Sequence, residues 1–392
     1  MNKTFLNEIC SYNGSKKNLE SFIKHKLFYY RSKRNYDFGS LEHNFVSGLS
    51  PSISRKIITE LEIISEVKKV NLNLVEKFID EICWRTYWKG FLEHHPKIWS
   101  DYLNDFDKLS DLNSINYKNA INGKTKINCF NNWINELKDK GYLHNHTRMW
   151  FASIWIFHLK LPWQLGAHFF LKHLLDADSA SNTLSWRWVA GLHTSGKFYH
   201  ASKKNILKYT SNKADTSGLN QKYHNPISDK RFYKPSKIKY PIETIKKESK
   251  AHGIIIHEED LSKPKFGKKD FIIIQKSHFD PYNQSKKIRD FTNKSLKSFE
   301  NNYFKIDGLN ISYFNWDKPK DLKRWKEKNN LKSISISYPC IGKLKNPIKS
   351  AQKFLNMSFN YYMNDWDRLA WPFCNSGFFK LKKNIKPFIK NL

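Results

Sequence analysis

Between Leu175 and Trp188 the chain carries acids at Asp176 and Asp178, an amide at Asn182 and indoles at Trp186 and Trp188. Paired aspartates can bind a divalent cation, do acid–base work, or pair with arginine and hydroxyls. Standing alone, this run reads as a helix-terminal loop with an arginine partner. A second cluster is Glu81-Ile-Cys-Trp84-Arg85, in which Glu81 lies one helical turn from both Trp84 and Arg85. A carboxylate, an indole face and a guanidinium on one patch suit a flat aromatic ligand that offers hydrogen-bond donors, with phosphate nearby. In isolation it is a surface ion pair beside a core tryptophan. A third cluster, His144-Asn145-His146-Thr-Arg148-Met149, puts Asn145 and Met149 at i, i+4. Its two histidines have no carboxylate neighbour in sequence, which argues against a metal. A fourth, Val46-Ser47-Gly48-Leu49-Ser50-Pro51, precedes a helix. Hydroxyls and free N–H groups there form an anion site, or simply an N-cap.

Helices must position these groups. LVEKFIDEICWRTYWKGFL repeats apolar residues every three or four positions. NCFNNWINELKDKGY is a further helix closed by Gly141. TRMWFASIWIFHLKL is apolar nearly all round, as a central helix is, and Pro162 limits it. LGAHFFLKHLLDADSASN reads as one helix running into a polar stretch. Between Lys208 and Lys269 the texture turns to Lys, Ser, Asn and Pro, a linker or irregular basic surface in which GIIIH reads as an isolated strand. Beyond it strands (DFIIIQ, LNISYFNW, SISISYP, FNYYM) alternate with helices (KKIRDFTNKSLKSFENNYF, DLKRWKEKNN, NPIKSAQKFLNM). That alternation predicts a small sheet with mostly parallel pairing. The sequence has no G-x-G-x-x-G or P-loop, so phosphates must be held another way.

The 68 Lys and Arg against 36 Asp and Glu leave a net charge of +32, which favours a polyanionic partner, nucleic acid before an anionic membrane. Aromatic residues make up 15% of the chain and 13 are Trp, too rich for a disordered chain. The 5 cysteines are scattered without a C-x-x-C pair, which speaks against a disulfide framework and for a reducing cytosol. No apolar signal core or membrane-length run is present, so a cytoplasmic protein without membrane attachment is expected.

In this order, the clusters resemble the FAD-binding helical domain of photolyases and cryptochromes, over roughly residues 27–210. GYLHNHTRMWFASIW, LPWQLGAHFFLKHLLDADSASNTLSWRW and WRTYWKGFLEHHP carry the resemblance. It implies that FAD is held by Tyr30, Ser47, Gly48, Leu49, Ser50, Arg85, Arg148, Asp176, Asp178 and Asn182. Arg148 would pair with Asp176 beside the isoalloxazine, Asp178 would meet the ribityl or adenine side, and Asn182 would face flavin N5. It also implies a catalytic set of Glu81, Trp84, Asn145, Met149 and Trp188. Glu81 would hydrogen-bond an extruded pyrimidine, the two indoles would stack on it, and Asn145 and Met149 would complete the pocket. The implied activity is light-dependent DNA repair. Excited, reduced FAD passes an electron to a pyrimidine dimer, cyclobutane type favoured over (6-4), the ring splits, and the electron returns. The implied partner is UV-damaged DNA, single- or double-stranded, bound by a monomer. A cryptochrome-like blue-light receptor without repair is the alternative.

Electron transfer in that family runs through tryptophans, and Trp186 and Trp163 match its first two members. The third position falls between Ser110 and Ala120, where this chain has no Trp; Trp133 and Trp155 are the candidates to replace it. His146 stands where the family has an Arg, and Val46 where it often has Thr. KFYHASKKNILKYT lacks cysteine, so no iron–sulfur cluster is expected. The resulting fold class is mostly α: an all-helical FAD-binding photolyase-like domain followed by a smaller C-terminal α/β domain. The expected divisions are a basic extension (1–26), the helical domain (27–210), a basic linker (211–251) and a small α/β domain (252–392). The last faintly resembles an antenna-like domain, relocated or degenerate, with its second chromophore unknown. The family's usual N-terminal antenna domain is not expected ahead of the helical domain, so the resemblance implies a short, divergent member.

Overall fold

The computed structural model describes residues 3–40, 43–70, 72–194, 197–219, 227, 229, 231–238, 251–263, 270–304 and 311–392. Much of the expected linker lies outside them. The helical part comprises α1 (Lys3–Ile9), α2 (Tyr12–His25), α3 (Leu27–Lys33), α4 (Ser50–Ser54), α5 (Glu60–Lys68), α6 (Leu72–His94), α7 (Pro96–Asp107), α8 (Ile115–Ile121), α9 (Asn128–Lys140), α10 (Asn145–Ser153), α11 (Trp163–His173), α12 (Ser179–Val189) and α13 (Lys203–Tyr209). The sheet part holds strands β1 (His252–Ile256), β2 (Phe271–Gln275), β3 (Ile311–Phe314), β4 (Ser333–Ser337) and β5 (Asn360–Tyr362), with α14 (Lys286–Tyr303), α15 (Pro319–Lys328) and α16 (Lys345–Leu355) between them. The chain closes with α17 (Asp365–Ala370) and α18 (Phe378–Asn391). Among the described residues no helix is long and apolar enough to cross a membrane.

α9 ends as its sequence predicts, on Gly141 in the left-handed conformation. Two expectations change. The apolar helix after His144 does not run unbroken to Leu161. Past Ser153 it widens into a π-turn, Ile154–His158, in which the Leu159 N–H bonds the Ile154 carbonyl. LGAHFFLKHLLDADSASN is also two helices rather than one. Leu174 turns extended, and the Asp178 carboxylate accepts from the N–H groups of Ala180 and Ser181, starting α12 afresh. A short acid that captures backbone N–H groups competes with helix continuation, and here it wins.

GIIIH is not isolated. It forms β1, the middle of a five-stranded parallel sheet in the order β3-β2-β1-β4-β5. A run of isoleucines suits that place, because a central parallel strand is buried on both faces. Ile254, Ile256, Ile272 and Ile274 pack towards the helical core together with α14. Ile255, Ile273, Ile334 and Ile336 pack the other way, against Leu322 and Trp325 of α15 and Ile348 of α16. After β5 the chain leaves the sheet and crosses α6. The Trp366 indole donates to Thr86 Oγ1 at 2.8 Å, the Lys56 ammonium pairs with Asp367, and Lys382 donates to Asp80 at 2.8 Å. Trp366, Trp371, Phe378 and Leu381 thereby join the apolar core that contains α6.

Candidate functional site

α6, α10 and α12 enclose a cavity of about 490 Å³, closed on one side by the 46–50 segment. Its walls bring together Tyr30, Ser47, Gly48, Leu49, Ser50, Glu81, Trp84, Arg85, Asn145, Arg148, Met149, Asp176, Asn182, Trp186 and Trp188. Of the residues expected from sequence, Asp178 and Trp163 are not in that lining. Asp178 is spent as the cap of α12 and as a partner of Arg85 and Ser181, and it borders a second, smaller cavity by the ends of β1 and β4.

The floor is electrostatic. Asp176 is 2% exposed, and its Oδ2 accepts from Arg148 Nη1 at 2.9 Å and from Arg85 Nη2 at 3.3 Å. Burial pushes its carboxyl pKa up, but the Arg148 and Arg85 guanidiniums outweigh burial and hold it at about 2. By geometry Asp176 Oδ1 is buried with no hydrogen bond from the chain, though the nearby Ser50 hydroxyl also helps to lower the carboxyl. Asn182 sits one turn into α12, its amide donating to the Ala167 carbonyl at 2.8 Å, which leaves its oxygen for the cavity. Gly48 turns the entering chain with φ +68°, a conformation open to glycine at little cost.

The mouth has a different character. Glu81 faces Arg34 Nε at 3.5 Å, a partner that sequence reasoning did not name. Burial raises the Glu81 carboxyl, and Arg34 opposes that rise. Trp84 lies flat on Phe378 of α18, ring centres 3.9 Å apart and 7° from parallel. One indole face is thus taken by the chain itself, while Trp84 still lines the cavity. Trp188 stacks on Tyr199 at 5.9 Å. Asn145, the first residue of α10, is exposed, and Met149 is half-buried one turn on. His146 points inward, within hydrogen-bond distance of the Asn35 carbonyl (3.0 Å) and the Tyr199 hydroxyl (3.2 Å). It acts as a core link rather than as a surface contact.

Trp186 is 2% exposed, and its ring neighbours are Phe170 at 5.1 Å, Trp155 at 6.2 Å and Phe151 at 6.3 Å. Trp155 in turn lies 6.0 Å from Tyr117. Trp163 packs instead on Tyr102 at 5.6 Å. Trp186 fits only because residue 166 is glycine: a Cβ there would come within 2.2 Å of the indole. A lone glycine inside an apolar helical pattern was the available signal for this close approach. Nothing in the local sequence signals Phe378 or Arg34, which reach the site through tertiary packing.

Four imidazoles are kept neutral by burial, which pushes His144, His168, His173 and His193 down to about 4 from 6.5. Such a group binds fewer protons folded than unfolded between these values. Its stabilisation is intact above pH 6.5 and is lost as pH falls towards 4. Tm should therefore hold steady from pH 8 to 7 and drop by several degrees by pH 5. Calorimetry across that range checks it, and a flat profile would show that these rings are not held neutral.

The cavity on this helical scaffold has an arginine-clamped acid at its floor and is large enough to admit a sizeable ligand. Residues 78–255 match the family model described as the FAD binding domain of DNA photolyase. That match covers a little under half of the chain and is a likeness to that domain. It is 26% identical over 249 residues to the deoxyribodipyrimidine photo-lyase of Buchnera aphidicola subsp. Baizongia pistaciae, 57% of this chain and 50% of that one. It is 30% identical over 184 residues to the Agrobacterium fabrum deoxyribodipyrimidine photo-lyase, 45% and 38% of the two chains. Among solved structures, a class III photolyase from Agrobacterium tumefaciens aligns with a TM-score of 0.43 at 26% identity, covering 52% of this chain and 42% of the other. A Synechocystis cryptochrome aligns with a TM-score of 0.46 at 21% identity, covering 51% and 43%. The chain spans half or less of the length of these curated relatives. The matched region begins at Phe78, so Tyr30 and the 46–50 segment of the cavity wall lie ahead of it.

The residues present fit FAD. The unpartnered Asp176 Oδ1 awaits a donor, Ser47 and Ser50 bring hydroxyls to the Gly48 turn, and Trp186 offers an aromatic wall.

Proposed function

We propose that the protein is a light-dependent photolyase that uses reduced FAD to split pyrimidine dimers in UV-damaged DNA, with cyclobutane dimers favoured over (6-4) products. One observation carries this reading. Glu81, Trp84, Asn145, Met149 and Trp188 line the same cavity as the FAD-binding set, so a lesion and the flavin would meet in one chamber. A dimer must leave the duplex to enter, at a cost of a few kcal/mol that is least for a damaged pair. The +32 charge supplies phosphate affinity, and the indoles supply stacking. FAD, once bound and reduced, supplies the light-driven electron. The chain's own part is to orient the lesion and to present Glu81 to its hydrogen-bonding edge. The arginine pair keeps Asp176 ionised beside the cofactor.

The test is illumination of a thymine-dimer oligonucleotide with the reduced holoprotein, reading restored thymine by chromatography. Dimers that persist while flavin is present and reduced would favour a cryptochrome-like sensor. A colourless protein that takes up no flavin would refute both readings.

The ring contacts suggest how the flavin is recharged. With an external reductant present, Trp186→Phe should abolish photoreduction of bound FAD, followed by its absorbance. Trp155→Phe should slow it strongly, because Trp155 touches Trp186 and leads to half-buried Tyr117. Trp133→Phe should leave it unchanged, since Trp133 stacks on Trp150 instead. Equal rates in all three would discard this route.

A further inference from the structure

The end of the chain supplies a surface that the pocket alone does not explain. Phe378, which covers one face of Trp84, is followed by Phe379, whose ring lies 6.1 Å from that of Phe378 and is 80% exposed. Trp84, Phe378 and Phe379 thus form a continuous aromatic series from the cavity wall to the surface. On α18, Phe379 begins an outward stripe. Lys383, Lys386 and Lys390 follow at spacings of four, three and four, all exposed. The inward stripe of Phe378, Leu381, Ile385 and Ile389 is buried, and Lys382 ties the helix to Asp80 and Glu76 of α6. The helix is therefore fixed, and its outer face is an aromatic ring trailed by ammonium groups. Lys383 has no ion-pair partner among the described residues, while Lys386 lies 3.9 Å from Glu76 of α6.

A face of that make-up is complementary to a polyanion with an exposed π-surface. We infer that the outer face of α18 contacts DNA beside the pocket, with Phe379 wedging into the base stack next to the extruded nucleotide and the lysine stripe following the flanking phosphates. Proteins that unstack duplex DNA insert apolar side chains of this kind, and phosphate contacts from a basic helix hold the register. Phe378 acts here as a positioning residue that sets the plane of Trp84. The inference rests on the repair reading, but it assigns a DNA contact to a segment outside the matched family domain.

Binding of the holoprotein to fluorescein-labelled duplexes, with and without a central thymine dimer, tests it by anisotropy. Phe379→Ala should weaken dimer binding roughly tenfold while leaving undamaged duplex almost unaffected; Phe379→Trp should restore it. Lys383→Ala combined with Lys390→Ala should weaken both duplexes alike and lower the salt slope by about 2. Because Phe379 is exposed, flavin absorbance and circular dichroism should be unchanged in its variants. If the wild type prefers the dimer and Phe379→Ala prefers it equally, the wedge is wrong and the repair reading stands. If the wild type binds both duplexes alike, the repair reading fails and takes the wedge with it. Variants that alter only self-association in sedimentation, with DNA binding intact, would overturn the inference in favour of a contact between copies of the chain.

Discussion

Asp176→Asn should yield a protein that purifies with little or no flavin and unfolds about 3 kcal/mol more easily than the wild type, the lower end expected for breaking a buried ion pair. Two arginines converge on this carboxylate, and it is 2% exposed. Asparagine keeps the shape and removes the charge. Arg148 is then left with neutral acceptors only, the Leu143 carbonyl and the new amide oxygen, while Arg85 keeps the charged Asp178. The loss should therefore fall mainly on α10, which carries Arg148. Cofactor affinity should suffer separately, because the unpartnered Oδ1 is the buried acceptor that a flavin donor would meet. A charge-assisted hydrogen bond of about 1.5–3 kcal/mol corresponds to a Kd weakened by roughly ten- to a hundredfold. Asp178→Ala makes the control. It removes a cap worth about 1 kcal/mol and one Arg85 contact, yet it should retain flavin, because Asp178 does not line the cavity. Denaturant unfolding and the ratio of flavin to protein absorbance separate the two outcomes. Equal flavin content in both variants would show that Asp176 is only a structural ion pair.

That contrast between two aspartates also shows what the sequence could express. Both stand in one short run, and sequence reasoning placed both on the cofactor. Which one faces the cavity depends on the break after His173, a competition between helix continuation and a side-chain cap that helical periodicity does not encode. Periodicity did locate α6 and α9, and the alternation after residue 269 located the remaining strands and their helices, because those patterns are local. GIIIH looked isolated because its polar flanks hid that both faces are covered by elements distant in sequence. For the same reason Arg34 beside Glu81 and Phe378 on Trp84 were invisible. The pocket's own residues were legible because their order along the chain resembles that of a known family; standing alone, clusters such as Glu81-Trp84-Arg85 read as an ion pair or a cap. Their supporting neighbours were not legible, because packing alone selects them.

Glu81→Ala should retain FAD and lose at least about tenfold in repair rate, the equivalent of one charge-assisted hydrogen bond to the lesion. The residue lines the cavity mouth and is remote from the Asp176 floor in its bonding, so flavin content should not move. Glu81→Gln keeps a hydrogen-bonding side chain without the charge and should fall between alanine and wild type. Arg34 supplies an independent check. Burial raises the Glu81 carboxyl and Arg34 pulls it down, so Arg34→Ala should let it rise further. If the ionised carboxylate is the active form, the acid limb of the repair rate should move to higher pH in Arg34→Ala, with the rate well above that limb preserved. If the protonated acid donates to the lesion, the shift has the same sign but activity should instead persist to higher pH before it falls. The direction in which rate changes across that limb therefore identifies which form of Glu81 works, and absence of any shift would mean that the Arg34–Glu81 pair does not govern the chemistry.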